Sequence, residues 1–407
     1  MGNRYDVIVL GARCAGSPLA MLLARRGHRV LVVDRATFPS DAISSHILQP
    51  RGVAALSRWG LLDDLVATGC PPIHTYVFDF GPIVISGAPG KSEAPASYCA
   101  RRTVLDAMLV NAAAGAGAEV REGFAVEKIL IEDGRVVGIR GQSKGGEAVE
   151  ERASIVVGAD GHRSKVASAA GAASYNERPP LLAGYYSYWS GLPMDGLYEI
   201  YIRERRGFGV APTHDGLTLI VGGWPYAEFE KNKRDVEHYF LQMLDLAPAL
   251  GSRVRDARRE APFVGMPVPN FFRTPYGPGW ALVGDAGYTK DPITAQGISD
   301  AFRDADCCSD ALDAALSGRR SFDDAMSEYQ RERDQRALPM HEFTCQLASL
   351  EPPPPEMQQL LFAMQGNQRA MDGFAQVNAG TISPAQFFSP ENLGPIMAEA
   401  ARRSPAA

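Results

Sequence analysis

LGARCAG, residues 10–16, is the stretch on which the reading of this chain turns. Before it stands YDVIVLG (5–11), a short, nearly continuous apolar run rich in Val and Ile, the pattern of a strand buried on both faces. SPLAMLLARRG (17–27) then predicts a helix, with Pro18 suited to its first turn and Gly27 to its end. RVLVVD (29–34) predicts a second buried strand ending on Asp34, with Arg35 next. The order is strand, glycine-bearing turn, helix, strand, acid. Asp34 falls 18 residues after Gly16, close to where a dinucleotide-binding βαβ unit places the carboxylate that meets a ribose hydroxyl. The loop of such a unit reads G-x-G-x-x-G. Here Gly11 makes the tight turn and Gly16 lets the helix pack against the strand. The middle position, where backbone approaches a pyrophosphate, holds Arg13, followed by Cys14 and Ala15. A side chain there costs closeness, but a guanidinium adds charge-assisted hydrogen bonds to an anion. The helix N-terminus still offers free N–H groups. Cys14 reads as a small packing residue rather than a reactive thiol.

Two further strands end in similar turns. ASIVVGADGHRSKVA (153–167) ends its apolar run at Gly158, Asp160 and Gly161. GWALVGDAGYTKDPITAQGISDAFRDA (279–305) ends its own at Gly284 and Asp285, then passes through a loop into a helix. Independent strands with small-residue-plus-Asp ends fit one sheet whose carboxyl ends converge on a ligand. In this order and spacing, the variant glycine loop, the internal DG turn and the late GDA…P…QG loop resemble the FAD-dependent group A monooxygenases, the para-hydroxybenzoate hydroxylase-like flavoproteins. Geranylgeranyl reductases and flavin-dependent halogenases share that fold. The resemblance covers roughly residues 5–335.

That resemblance implies FAD as cofactor, NAD(P)H as co-substrate, and an apolar or aromatic small molecule hydroxylated or epoxidised through a flavin C4a-hydroperoxide. It assigns Gly11, Gly16 and Asp34 to the ADP half; Arg13, Cys14, Ala15 and Arg35 are counted with them as cofactor-binding, with Arg13 expected on the pyrophosphate or the flavin-side sugar. Arg102, in RRTVLDAML, lies along the phosphate and ribityl side. Asp160 and Gly161 sit near the pyrophosphate, and Gly284 and Asp285 near the ribityl chain. Pro292 lies beside the reactive edge of the isoalloxazine, and Ala295, Gln296, Gly297 and Ile298 open a helix aimed at its N1/O2 edge. Reduced flavin is negative there, and a helix N-terminus stabilises an anion. Pro292 and His46 are the catalytic candidates. His46 stands where relatives often carry an arginine; its alternative is a loop histidine capping a helix. The chain departs from the family at Gly287 and Tyr288, at Thr294 and Ala295 in the G-x-G-Q-G pattern, and at Ala167, where the DG motif usually ends in arginine.

Composition bounds the alternatives. The chain has 407 residues, enough for two domains or one large domain with a lobe. A net charge of −6 disfavours nucleic acid. No apolar run approaches the roughly 20 residues a membrane span needs, and MGNRYD is no signal peptide. Six scattered cysteines without a Cys-x-x-Cys pair read as reduced thiols in a cytoplasm. His28, His46, His74, His162, His214, His238 and His341 lack metal-ligand spacing, so no metal is expected. No G-x-S-x-G motif points to hydrolase chemistry. Oligomeric state is left open.

The fold class expected is α/β: a Rossmann-like FAD-binding domain (1–74, 99–175 and 262–335), a β-rich substrate lobe (75–98 and 176–261), and a C-terminal helical region (336–407). Residues 119–158 read as a meander feeding the DG strand. The lobe is dense in aromatics, among them Tyr185, Tyr186, Tyr188, Trp189, Tyr198 and Trp224. Most of these serve a sheet core and one face meets substrate, with the face set by register. Two alternatives share the FAD domain. One is a reductase saturating a prenyl chain or other alkene. The other is a halogenase, disfavoured because no lysine precedes Lys91 and because Tyr188 and Ser190 occupy the tryptophan positions of its Trp-x-Trp-x-Ile-Pro motif. An FAD protein without turnover is opposed by the intact DPITAQG loop.

Overall fold

The valine-rich runs become the middle of an eight-stranded sheet, as strands apolar on both faces must. A computed structural model describes residues 4–403. Along the sheet the order is Tyr276–Gly277, Trp280–Leu282, Val149–Gly158, Arg4–Leu10, Val30–Val33 and Glu119–Arg121. The last five run parallel. Phe124–Glu132 and Arg135–Ser143 form the antiparallel meander that leads into Val149–Gly158. Helices Gly16–Arg25, Arg102–Gly115 and Gly297–Leu316 cover one face through Leu19, Leu23, Leu105, Leu109 and Phe302. The meander covers the other face, where Phe124, Ile129 and Val136 meet Ile8, Leu31 and Val156. From Arg4–Leu10 the chain turns to Val30–Val33 on one side, while Val149–Gly158 lies on the other. This is a topological switch point, and a crevice opens outside the carboxyl ends of these strands.

The second sheet runs Arg258–Arg259, Leu182–Ser190, Thr218–Pro225, Arg206–Pro212, Leu197–Arg203, Thr75–Asp79 and Val84–Gly87. Val264–Pro267 also joins it, pairing with Ala183–Tyr186, although it falls in a segment expected to belong with the nucleotide-binding part. It can do so because Arg258–Arg259 takes only the far end of the same strand edge, at Trp189–Ser190. Register divides the aromatics. Tyr185, Trp189 and Trp224 face Phe240 and Met243 in one core. Tyr186, Tyr188, Tyr76, Phe78 and Tyr198 face the opposite way. That second face is covered by C-terminal helices Pro355–Met364, Gln368–Asn378 and Pro384–Phe387, with the Phe78 and Phe374 rings 5.0 Å apart. Helix Phe322–Ala348 runs unbroken across position 336, so the helical region is continuous with the element before it. No helix among the described residues is long and apolar enough to cross a membrane.

Candidate functional site

A cavity of about 600 Å³ occupies the crevice at the switch point. It runs from Asp34 and Arg35 past the LGARCAG turn to Asp285, Pro292 and the start of helix Gly297–Leu316, with Gly184, Tyr186, Val221 and Met266 of the second sheet as its roof.

At the first end the glycines are required by sterics. Gly11 has φ +100°, and a Cβ there would lie 2.4 Å from the Ala159 carbonyl oxygen. A Cβ on Gly16 would lie 1.8 Å from the Gly11 carbonyl oxygen. Turn, helix and neighbouring strand are thus in backbone contact, which brings the open N–H groups of the helix to the cavity. Asp34 accepts from the N–H groups of Ala12 and Ala36, both at 2.8 Å. A carboxylate has further lone pairs, so it can hold the loop and still accept a hydroxyl from the cavity. Asp160 holds Lys165 N–H at 2.7 Å through Oδ2, while its buried Oδ1 has no partner among the described residues and burial pushes the carboxyl up.

Arg13 lines the cavity but takes protein partners. Its Nη1 reaches Asp106 Oδ2 at 2.6 Å and the Ser40 carbonyl at 3.3 Å. Its Nη2 reaches Ser40 Oγ at 2.8 Å and the Asp41 carbonyl at 3.2 Å. All four terminal N–H bonds are taken by protein acceptors rather than left free toward the cavity. Its φ is not in the left-handed region, so the missing glycine costs no backbone strain. Arg102 grips Asp106 by a fork of two 3.0 Å bonds and shares the cavity wall. The Cys14 thiol bonds Asp106 Oδ1 at 3.3 Å and is raised by burial, as fits a packing residue.

At the other end Asp285 is open to the cavity while protein crowds its remaining sides. Burial pushes its carboxyl up to about 6 against the opposing pull of Lys290 and Arg102. Gly284 and Gly161 both sit at positive φ, and a Cβ on Gly284 would meet Ala15 Cβ at 2.8 Å. Pro292, Gly297 and Ile298 line the cavity, and the space a Gly297 Cβ would occupy is open. Ala295 and Gln296 are buried behind them. Ala295 carries φ +50°, and the Gln296 side chain turns away from the cavity to the Asn378 carbonyl (2.7 Å) and Arg51 Nη2 (2.8 Å). In this way Gln296 ties the loop to the C-terminal region rather than aiming its amide at a ligand.

His46 is also displaced from its expected role. It is fully buried, with Nδ1 2.7 Å from the Ser44 carbonyl and Nε2 2.8 Å from Tyr188 Oη. Burial lowers it to about 4, so it stays neutral at ordinary pH. Both nitrogens are engaged behind the wall made by Ala42–Ser45 and Tyr186, which leaves no lone pair or proton for chemistry in the cavity.

A family of FAD-binding domains matches residues 4–344. The chain belongs to the FAD-dependent flavoproteins. The digeranylgeranylglycerophospholipid reductase of Methanosarcina mazei is 30% identical over 332 residues, 78% of this chain and 77% of that protein. In fold the flavoprotein is similar to the myxobacterial chondrochloren halogenase CndH, with TM-score 0.79, 23% identity and coverage of 98% and 97%. It is likewise similar to P. aeruginosa PqsL in complex with 2-aminobenzoylacetate, with TM-score 0.72, 23% identity and coverage of 92% and 99%. The family therefore includes a reductase, its fold is shared by the halogenase CndH and by PqsL, and this chain is an FAD-dependent oxidoreductase.

The residues fit the cofactor. The cradle between Gly11 and Ala159 admits no side chain, Asp160 keeps an unpartnered oxygen, and an open helix N-terminus stands at the far end. Sequence reading missed Asp106, Lys290 and Asp291. Asp106 was signalled by its i,i+4 spacing from Arg102, and Asp291 by its place beside Pro292. Asp291 is 1% exposed, accepts Ile293 N–H at 3.1 Å through Oδ1, and keeps Oδ2 without a partner among the described residues. Burial pushes it up to about 7.

Proposed function

We propose that this flavoprotein is a monooxygenase that uses NAD(P)H and oxygen to hydroxylate or epoxidise an apolar or aromatic small molecule in the cytoplasm. The observation that carries this reading is the shape of the roof. Among the described residues of the second sheet, only Gly184, Tyr186, Val221 and Met266 line the cavity that Pro292 also lines. The rest of that aromatic face is packed against the C-terminal helices. A compact apolar substrate fits such a place, and a long polyprenyl chain does not.

Bound FAD supplies the redox chemistry that side chains lack, moving electrons from a nicotinamide nucleotide toward oxygen. The chain's own residues position and stabilise. Gly11, Gly16 and the helix they adjoin would take the pyrophosphate, Asp34 a ribose hydroxyl, and Asp285 the ribityl chain. The N-terminus of helix Gly297–Leu316 would stabilise negative charge on the reduced ring. Asp291, held near neutrality, can keep a proton at Oδ2 beside Pro292. The apolar roof excludes water from the reacting edge.

Two cavity lysines bear on halogenation, and neither amine is free. Lys165 bonds the Val126 carbonyl, and Lys290 is held by Asp300 and by Tyr288 Oη at 2.8 Å. Lys91 lines a separate cavity among the C-terminal helices. A reductase is the second reading, favoured by the 30% identity to the archaeal enzyme.

The test is a screen of small aromatic and isoprenoid compounds for stimulation of NADPH oxidation by the FAD-loaded protein. Stimulated oxygen uptake with heavy-isotope oxygen appearing in the product supports the monooxygenase. Turnover that proceeds without oxygen and saturates an alkene contradicts it and establishes the reductase.

A further inference from the structure

The cofactor end of the cavity is built around one anion, Asp106, to which the sequence motifs gave no role. Asp106 is completely buried in helix Arg102–Gly115. Its carboxylate accepts Nε and Nη2 of Arg102, each at 3.0 Å, Nη1 of Arg13 at 2.6 Å, and the Cys14 thiol at 3.3 Å. A carboxylate offers about four lone-pair sites, so Asp106 has none left for a ligand. It acts on the site through its two arginines.

The arginines differ in what remains to them. Arg102 has its Nε and Nη2 fixed, while Nη1 meets no acceptor among the described residues and the side chain lines the cavity. Arg13 has its remaining terminal N–H bonds on the Ser40 carbonyl, Ser40 Oγ and the Asp41 carbonyl, with its guanidinium over the Phe38 ring at 5.2 Å. The residues that follow, Ala42–Ser45, form part of the cavity wall. Across the cavity Tyr186 Oη approaches the Ala42 carbonyl at 3.5 Å. Exposed Ile43 lies in the middle of this segment.

We propose that Asp106 is a positioning residue for FAD: it aims Arg102 at the cofactor and, through Arg13, holds the 40–45 segment closed along it. A buried carboxylate between two guanidiniums also leaves one net positive charge beside the pyrophosphate, whereas two uncompensated guanidiniums would repel each other. Arg13 thus serves retention through a wall segment rather than by phosphate contact. The proposal rests on the FAD reading of the cavity.

The experiment uses the FAD-loaded full chain. FAD release is followed by flavin fluorescence after dilution, and backbone amide exchange is followed at residues 41–45. Asp106→Asn is expected to speed release by at least about tenfold, as loss of a buried charge partner should, and to speed exchange at 41–45. Arg13→Ala should reproduce the faster exchange with a smaller effect on release. Combining the two should release FAD no faster than Asp106→Asn alone, because Arg13 acts through Asp106. Arg13→Lys should not rescue, since a point charge cannot span Asp106 and Ser40 as a fork does. Release from Asp106→Asn at the parent rate, or unchanged exchange at 41–45 in both single variants, overturns the proposal. If Asp106→Asn does not fold, Arg13→Ala and Arg13→Lys decide it by the same two readouts. A parent protein that takes up no FAD overturns the underlying reading as well, whereas a parent that binds FAD beside unaffected variants overturns this proposal alone.

Discussion

Two turns flank the cavity, and each lacks a glycine that its relatives' patterns contain. In the first, Arg13 stands at the middle glycine of LGARCAG; in the second, Ala295 stands in DPITAQG. Arg13 keeps an ordinary backbone conformation, and its added side chain is absorbed by Asp106, Ser40 and Asp41. Ala295 keeps the left-handed backbone that the turn needs, at φ +50°, and bears the strain itself. A missing glycine can therefore be replaced by new side-chain bonds where the backbone does not need positive φ, and only tolerated where it does.

The comparison breaks first at a glycine on which the first turn depends. Gly16→Ala drives a Cβ into the Gly11 carbonyl and is expected to cost about 3 kcal/mol or more, measured by urea unfolding. Parental stability in the Gly16→Ala variant would mean that the turn opens easily. Asp291→Asn tests the far end by pH. The unfolded carboxyl titrates near about 4, while the folded one holds its proton to about 7. Between these values the folded chain binds a proton that the unfolded chain has lost, so stability falls as pH rises through that window. Asp291→Asn should remove that fall, a gain of up to about 4 kcal/mol at pH near 8 and almost none near 4. A pH-independent effect would show that burial does not govern Asp291. Restoring glycine at the two departures should then give opposite signs. Arg13→Gly removes charged hydrogen bonds and should cost about 1–3 kcal/mol. Smallest is Ala295→Gly, expected to stabilise by about 0.5–1 kcal/mol through relief of positive φ. If both glycine restorations have the same sign, the contrast between the turns is wrong.

The nucleotide end was legible in the sequence because its chemistry is local. Gly11, Gly16 and Asp34 belong to one βαβ unit whose spacing follows from the turn, the helix and the strand. The parallel sheet and the meander followed from apolar runs and turn residues. The opposite end depends on contacts distant in sequence. Tyr186 meets the cavity only because register places it on the opposite face from Tyr185 and Trp189. His46 carries no sign in its own segment that Tyr188, 142 positions away, takes its Nε2. Gln296 sat in the right motif, but its amide is claimed by Asn378 and Arg51. Arg13 was read as a hydrogen-bonding side chain, but its protein acceptor Asp106, 93 residues on, gave no signal in the local sequence. Pattern located these residues; tertiary partners decided what they do.

One continuous cavity is proposed to take FAD from Asp34 to Pro292, with the flavin ring beneath the second sheet. A crystal structure of the FAD-loaded protein tests it most directly. The expected result is a pyrophosphate against the Gly11–Gly16 turn, Arg13 still bound to Asp106 and Ser40, and the ring edge between Pro292 and the Tyr186–Val221 roof. A ring lying away from Pro292, or Arg13 swung onto the phosphates with Asp106 released, would contradict it.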